Sequence, residues 1–330
     1  MFRPTLAIAT LGGTLSMQSC HPDQGITPSL GGAQLLASVP ELYALADIRV
    51  ESLSLVPSAS LDFEFLLHVL DWANRQIAQG VHAVVITQGT DTLEETAAFF
   101  EYLWTHDEPL ILTGAMRCAD QAGADGPANL LDACRVALSA SSKGRGVLVV
   151  MNAEVHHALR IRKNHTVALH AFSSPTLGPA GLMIEHCVHY LHPATARMTL
   201  PLPSRTSHKV ALLEASLSAD VLLVEQLVGL GYEGLVIAGF GAGHLSELWA
   251  EVLQPIAAKI PVIVGSRTGA GPTAFNTYGF KGGEIDLTGK GLHMSGFLCP
   301  RKARLLLWLL IGCGQQSRLK NFLRNLSVAG

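Results

Sequence analysis

The 330-residue sequence lacks several features that mark common classes of protein. It has no run of basic residues, its formal net charge is -3, and only 15% of its residues are charged, so we expect no nucleic-acid partner. The longest late apolar run, 305–311, is far shorter than the ~20 residues of a membrane-spanning helix. No long apolar leader precedes the first strand-like run, so we expect a cytoplasmic protein without a membrane partner.

Signatures of metal and cofactor sites are also missing. There is no GxxxxGK[ST] phosphate loop and no HExxH motif, and the histidines have no partners at metal-ligand spacing. The glycine-rich stretch 239–243 follows a predicted strand, but its spacing does not fit the dinucleotide fingerprint. The six cysteines form no CxxC pair and are predicted to be reduced, mostly buried thiols. We therefore expect neither a metal nor a cofactor.

What the chain does have is a repeated strand-and-helix pattern. Apolar residues make up 48% of it, and short apolar runs alternate with segments of helical spacing. This alternation predicts an α/β fold with a mostly parallel sheet covered by helices. An aperiodic, proline-containing stretch at 192–209 is interpreted as a linker. It separates a larger N-terminal α/β domain, 1–191, from a smaller C-terminal α/β domain, 210–330.

The loop at 88–92 follows the buried strand predicted at 81–86. Ligands bind at the carboxyl ends of strands in open α/β sheets, so Thr90 and Asp91 are candidate site residues. The alternative is a capping box made by Thr92 and Glu95, which would leave Thr90, directly behind Gly89, without a role.

Hydroxyl groups and a lysine occur near other strand ends. Thr14 follows two glycines, although a Gly-Gly pair also suits an ordinary hairpin turn. Ser58 is not needed as a helix cap, because Ser60 and Asp62 suffice. Lys163 ends a basic stretch, 160–163, which on its own is more typical of a solvated face. A threonine needs a base to act as a nucleophile, and a desolvated lysine can serve as that base, while nearby glycine amides can bind an oxyanion.

Several of these motifs together resemble the bacterial-type L-asparaginase (asparaginase/glutaminase) family. They are residues 8–16, Gln-Gly-Thr-Asp-Thr at 88–92, Gly-Ala-Met-Arg at 114–117, Asp-Gly-Pro at 125–127 with Asn129, and Pro-Arg-Lys-Ala-Arg at 300–304. The sequence is similar to the cytoplasmic, type I branch. The resemblance implies a flavodoxin-like N-terminal sheet and hydrolysis of L-asparagine to L-aspartate and ammonia through an acyl-threonine, without a metal or cofactor. L-Glutamine is a second candidate substrate.

The resemblance also implies roles for individual residues. Thr14 resembles the nucleophile, and Thr90, Asp91 and Lys163 resemble its catalytic partners. The implied substrate-binding residues are Ser58, Gly89, Asp91, Ala115, His244 and Glu284, with Gly25, Ile26 and Thr27 in a lid. Glu284 is implied to act in a neighbouring subunit's site, which makes a homodimer or homotetramer with shared active sites the expected assembly.

Four positions depart from the family pattern. Ile26 aligns best with a lid tyrosine and cannot transfer a proton, Leu11 replaces a small residue, and Gln88 and His244 replace a common histidine and asparagine. Two alternatives therefore remain. One is a related amidase or glutaminase, including the amide-cleaving subunit of an amidotransferase. The other is a catalytically silent amino-acid-binding homologue. For Glu284, the alternative to an intersubunit role is an exposed turn glutamate.

Overall fold

The computed structural model describes residues 3–19, 26–28 and 31–328, with the backbone alone described at 17–19, 26–28 and 327–328. The chain divides into two compact units, Met1–Arg197 and Met198–Gly330. The division falls within the stretch interpreted as a linker, 192–209, whose bounds stay a prediction.

An eight-stranded sheet forms the centre of the first unit. Its strands are β1 (Thr5–Thr10), β4 (Asp47–Ser52), β5 (Ala83–Thr87), β6 (Leu110–Thr113), β7 (Val147–Met151), β8 (Glu154–His157), β11 (Gly181–Ile184) and β12 (Cys187–Tyr190). Their order is β12-β11-β8-β7-β6-β5-β1-β4, parallel from β7 to β4 and antiparallel from β7 to β12. Two short antiparallel pairs lie outside this sheet: β2 (Met17–Ser19) with β3 (Ile26–Pro28), and β9 (Arg162–Lys163) with β10 (Phe172–Ser173).

Five α-helices lie in the described part of the first unit. They are α1 (Gly32–Ala37), α2 (Leu42–Leu45), α3 (Phe63–Ala78), α4 (Leu93–Leu103) and α5 (Gly126–Leu138). Asp62 starts α3, because its carboxylate accepts a hydrogen bond from the amide of Phe65 at 2.8 Å. The capping box considered for α4 is wrong, since the Thr92 side chain makes no capping hydrogen bond.

The parallel strands are buried on both faces, which explains why they read as continuous apolar runs. Every residue of β5, β6 and β7 is buried. Ile8, Val85, Ile111 and Leu148 belong to one core cluster, which also contains Leu130 of α5. The large mostly parallel sheet predicted from the strand-and-helix alternation is confirmed.

The second unit has its own parallel sheet, in the order β13 (Lys209–Glu214), β14 (Tyr232–Gly239), β15 (Val262–Ser266) and β16 (His293–Met294). Its helices are α6 (Leu222–Gln226), α7 (Glu247–Ala257), α8 (Glu284–Gly289), α9 (Pro300–Gly312) and α10 (Leu319–Val328). Leu235, Ile237 and Val264 of the sheet form a core cluster with Trp249 and Leu253 of α7. A smaller C-terminal α/β fold is therefore confirmed.

In the part of the chain that the structure describes, no helix is both long and apolar enough to cross a membrane. Five of the six cysteines lie in this part, and all five are free thiols. Cys118 and Cys134 are buried, whereas Cys299 and Cys313 are half-buried and Cys187 is exposed. The prediction of mostly buried thiols thus holds for two of the five, and Cys20 lies outside the described residues.

Candidate active site

The carboxyl ends of β1 and β5 lie side by side and place two threonine loops next to each other. β1 pairs in parallel with β4 on one side and with β5 on the other, so the chain changes direction across the sheet at this point. Such a switch point opens a crevice for a ligand. The amide of Leu11 continues the contact beyond the strands by donating to the carbonyl of Thr87 at 2.9 Å.

Two glycines bring the first loop against its neighbour. Gly13 has a φ of +89°, and a Cβ added to it would lie 2.2 Å from both the Cα and the amide nitrogen of Gly89. Only glycine allows this backbone conformation and this approach without strain. Thr14 follows directly, half-buried, as the first residue of a 3-10 helix, Thr14–Ser16. Because β1 runs parallel to both partners, the ordinary hairpin turn considered for this loop is wrong.

Thr90, Asp91 and Lys163 form one hydrogen-bonded cluster. Lys163 Nζ donates to Thr90 Oγ1 at 2.8 Å and to Asp91 Oδ1 at 2.7 Å. The lysine and aspartate side chains are 15% and 72% exposed, so the pair lies at the mouth of a buried site rather than within the core. The solvated basic face considered for Lys163 is therefore wrong, because its Nζ points inward at a buried threonine.

A partly buried chain of hydrogen bonds joins the Ser58 loop to the Thr90 loop. Gln88 Nε2 donates to Thr92 Oγ1 at 3.1 Å, and Thr92 Oγ1 donates to the carbonyl oxygen of Ser58 at 3.0 Å. The Ser58 hydroxyl is also close to Gly89, where an added Cβ would lie 2.9 Å from Ser58 Oγ. Sequence reasoning missed this role of Gln88 and Thr92, and the only signal was the unusual glutamine itself.

The loop that contains Ala115 is held by two polar side chains of the next helix region. Asp125 accepts hydrogen bonds from the amide of Met116 at 3.0 and 3.1 Å. Asn129 Nδ2 donates to the carbonyl of Gly114 at 3.0 Å and to Asp125 Oδ2 at 3.0 Å. A Cβ on Gly114 would lie 2.6 Å from the carbonyl oxygen of Gln88, so this loop contacts the Thr90 loop as well. Three strand-end loops thus meet.

His244 and Glu284, both in the second unit, lie next to each other. Glu284 is fully buried, and its Oε1 accepts hydrogen bonds from the amides of Thr277 and Tyr278. Its Oε2 lies 3.6 Å from His244 Nε2, and the imidazole packs edge-on against the Tyr278 ring. Burial raises the pKa of Glu284, but the amides of Tyr278 and Thr277, its own amide and His244 together lower it below the usual range. The alternative of an exposed turn glutamate is wrong.

Comparisons with known proteins identify the family of the chain. The family model described as "Asparaginase, N-terminal" matches residues 5–196, and the model described as "Glutaminase/Asparaginase C-terminal domain" matches residues 209–320. The chain belongs to the asparaginase family. The resemblance carried by the threonine motifs is thereby confirmed.

Relatives and a solved structure match almost the whole length of the chain. It is 36% identical to "Probable L-asparaginase" of Deinococcus radiodurans, with 94% of each chain covered. It is 34% identical to "Probable L-asparaginase periplasmic" of Haemophilus influenzae, with 93% of this chain and 88% of the relative covered. The structure of a "Probable Cytoplasmic L-asparaginase" from Campylobacter jejuni matches with a TM-score of 0.87 and 28% identity over 98% of this chain and 99% of that one.

The segment predicted to form a lid, which contains Gly25, Ile26 and Thr27, is described only in part. Gly25 lies outside the described residues. Ile26 and Thr27 belong to β3, where their backbones pair with those of Ser19 and Gln18, and their side chains are not among those described. The lid assignment therefore stays a prediction.

The geometry of the first unit can support nucleophilic chemistry on a small polar substrate. The half-buried Thr14, the hydrogen-bonded Thr90–Lys163 pair and several glycine amides occur on segments that contact one another. Within the described residues, no group of three or more His, Cys, Asp or Glu side chains is arranged to hold a metal ion.

Proposed function

We propose that the chain hydrolyses the side-chain amide of L-asparagine to L-aspartate and ammonia, with Thr14 as the nucleophile. The observation that carries this proposal is the position of Lys163 Nζ, which lies 2.8 Å from Thr90 Oγ1. Thr90 belongs to a loop whose Gly89 contacts the Thr14 loop. Membership of the asparaginase family, with relatives named L-asparaginases, supports the reaction.

In the first half of the reaction, Thr14 Oγ forms a bond to the side-chain amide carbon. The hydroxyl proton passes to the amide nitrogen, the C–N bond breaks and ammonia leaves, which produces a β-aspartyl ester on Thr14. Negative charge develops on the carbonyl oxygen in this step. The backbone amides of the 12–14 and 88–91 loops, freed from side-chain obstruction by their glycines, are the candidate donors to that oxygen.

In the second half, water attacks the ester carbon, and Thr14 recovers its proton as aspartate leaves. We assign Thr90 and Lys163 to orienting this water; Lys163 in its neutral form accepts the water's proton and passes it to Thr14, while Asp91 holds the lysine in position. Ser58 and Asp91 are assigned to the α-carboxylate and the α-amino group of the substrate. The Ala115 backbone is assigned to the carboxamide, supported by the Asp125 and Asn129 contacts that hold its loop.

Two measurements on one preparation distinguish this function from a glutaminase and from a silent binding protein. Ammonia release from L-asparagine and from L-glutamine is measured by coupled spectrophotometry, and L-aspartate binding is measured by calorimetry on the same preparation. We expect ammonia from asparagine at a kcat/KM above that for glutamine. A higher value for glutamine supports a glutaminase, whereas aspartate binding without ammonia from either amide supports a silent binding protein.

Assembly and location belong to the same proposal. We infer a homodimer or homotetramer in which Glu284 and His244 of one copy complete a site in a neighbouring copy. Sedimentation of the purified chain tests this assembly, and a monomer with full activity would contradict it. A cytoplasmic location is supported by the name of the Campylobacter jejuni protein, whereas the Haemophilus influenzae relative is named periplasmic. Fractionation of cells that express the chain distinguishes the two.

A further inference from the structure

The segment that carries Lys163 is an excursion from the main sheet. The chain leaves the sheet after β8, which ends at His157, passes through β9 and β10, and returns at β11, which pairs with β8. β9 and β10 have two residues each, and Phe172 pairs with Lys163. Two-stranded hairpins are marginally stable in isolation. The excursion therefore needs an anchor to hold a long lysine side chain at one position.

A buried side-chain contact joins β8 to the residue that directly follows β10. His156 lies on β8, inside the main sheet, and is fully buried, while Ser174 follows β10 and is nearly as buried. His156 Nδ1 and Ser174 Oγ share a hydrogen bond of 3.1 Å. On the other side of the ring, Nε2 lies 3.1 Å from Glu154 Oε2. The contact fixes the point at which β10 returns toward the sheet.

Hydrogen bonds inside the excursion connect the neighbours of Ser174 to the neighbour of Lys163. The amide of Asn164 donates to the carbonyl of Ala171 at 2.7 Å, and Asn164 Nδ2 donates to Ser173 Oγ at 2.6 Å. Ser173 directly precedes Ser174, and Asn164 directly follows Lys163. A shift of Ser174 therefore moves β10, and β9 with it, relative to the Thr90 loop.

We infer that His156 is a positioning residue for Lys163, acting through its hydrogen bond to Ser174. The side chain of His156 anchors the β9–β10 pair to the main sheet, so that the lysine Nζ stays within reach of Thr90 and Asp91. The kinetic consequence rests on the proposed function, whereas the anchoring itself does not. A misplacement of about 1 Å at such a group costs up to ~100-fold in rate.

The test combines backbone hydrogen exchange with steady-state kinetics on full-length variants. Ser174→Ala and His156→Phe remove the contact. His156→Asn keeps a hydrogen-bonding group near the position of Nδ1. Ser142→Ala is the matched control, because it removes another buried serine hydroxyl, hydrogen-bonded to Tyr190 at 2.7 Å, away from the excursion.

We expect Ser174→Ala and His156→Phe to speed amide exchange at 162–173 and to lower kcat by about 10- to 100-fold, with a smaller change in KM. His156→Asn should recover kcat to within a few-fold of the wild type, and Ser142→Ala should change neither quantity. Unchanged exchange at 162–173 in Ser174→Ala overturns the anchor, and this arm decides even if the wild type releases no ammonia. Faster exchange with an unchanged kcat overturns the link to Lys163.

Discussion

Gly13 and Gly89 contact each other through their backbones, with no room for a side chain between them. A Cβ on Gly13 would lie 2.2 Å from the Cα of Gly89, and a Cβ on Gly89 would lie 2.9 Å from Ser58 Oγ. Three loops that carry candidate site residues, those of Thr14, Ser58 and Thr90, therefore share one close-packed point.

Replacing Gly13 with alanine should separate the Thr14 and Thr90 loops. We expect Gly13→Ala to lower the free energy of unfolding by about 2 to 4 kcal/mol, from backbone strain plus overpacking, and to remove most ammonia release. Gly80→Ala is the matched control, because Gly80 has a φ of +83° but no atom within 4 Å of an added Cβ. It should cost about 1 kcal/mol and leave activity unchanged. Equal effects in the two variants would contradict a role for the contact.

The hydroxyl of the half-buried Thr92 is predicted to position Ser58. Thr92→Val leaves Gln88 Nε2 without its threonine acceptor and the Ser58 carbonyl without its donor, so we expect KM to rise several-fold and stability to fall by about 2 kcal/mol. Thr92→Ser keeps the hydroxyl and should behave as the wild type. A Thr92→Val enzyme with an unchanged KM would show that the Ser58 loop does not depend on this bond.

His157 is predicted to weaken the fold in acid. Burial, with Arg160, Arg145, His192 and Arg197 adding repulsion, lowers the pKa of His157 to about 4 from an ordinary value of 6.5. Between these values the unfolded chain binds the proton and the folded chain does not. The contribution of His157 to the free energy of unfolding is therefore fully present above pH 6.5. As the pH falls towards 4, the free energy of unfolding should decrease by about 3 kcal/mol.

Urea unfolding at pH 7 and pH 4.5 checks this, with His157→Gln compared against the wild type. The variant should lose less stability on acidification, because its side chain does not titrate. His189→Gln, at an exposed position, is the control and should lose as much as the wild type. An equal loss in His157→Gln and the wild type would contradict the assignment.

Mixing two inactive variants tests the shared site. Glu284→Gln retains an oxygen that can accept from the amides of Thr277 and Tyr278 but removes the charge that faces His244. Thr14→Ala and Glu284→Gln should each be nearly inactive alone. In mixed two-fold dimers one site carries both defects and the other carries none, so random pairing should restore about a quarter of wild-type activity. Mixed dimers without recovery would place Glu284 in its own chain's site or in none.

Local patterns predicted the sheet well because its central strands are buried on both faces. Such strands require continuous apolar runs, which are easy to identify in the sequence. The site depended on longer-range information. Lys163 lies 72 residues from Asp91 along the chain, and no spacing rule joins them. Strand-end positions made both residues candidates, but it was the family resemblance that assigned them to one site.

Thr92 shows why local reasoning fails at such a site. Its position before α4 and three residues ahead of Glu95 favours a capping box, yet its hydroxyl bonds instead to Ser58, 34 residues away. The sequence did not indicate the His156–Ser174 contact either, because its two residues are 18 positions apart along the chain. Threonine and serine hydroxyls serve local or tertiary partners equally well, and only the packing decides.

The most direct test of the central claim is ammonia release from L-asparagine by wild type, Thr14→Ala and Thr14→Ser, each checked for native folding by circular dichroism. If Thr14 is the nucleophile, the wild type releases one ammonia per aspartate, Thr14→Ala loses at least ~100-fold in kcat, and Thr14→Ser retains a measurable fraction. A folded Thr14→Ala enzyme with a kcat near that of the wild type would contradict the account.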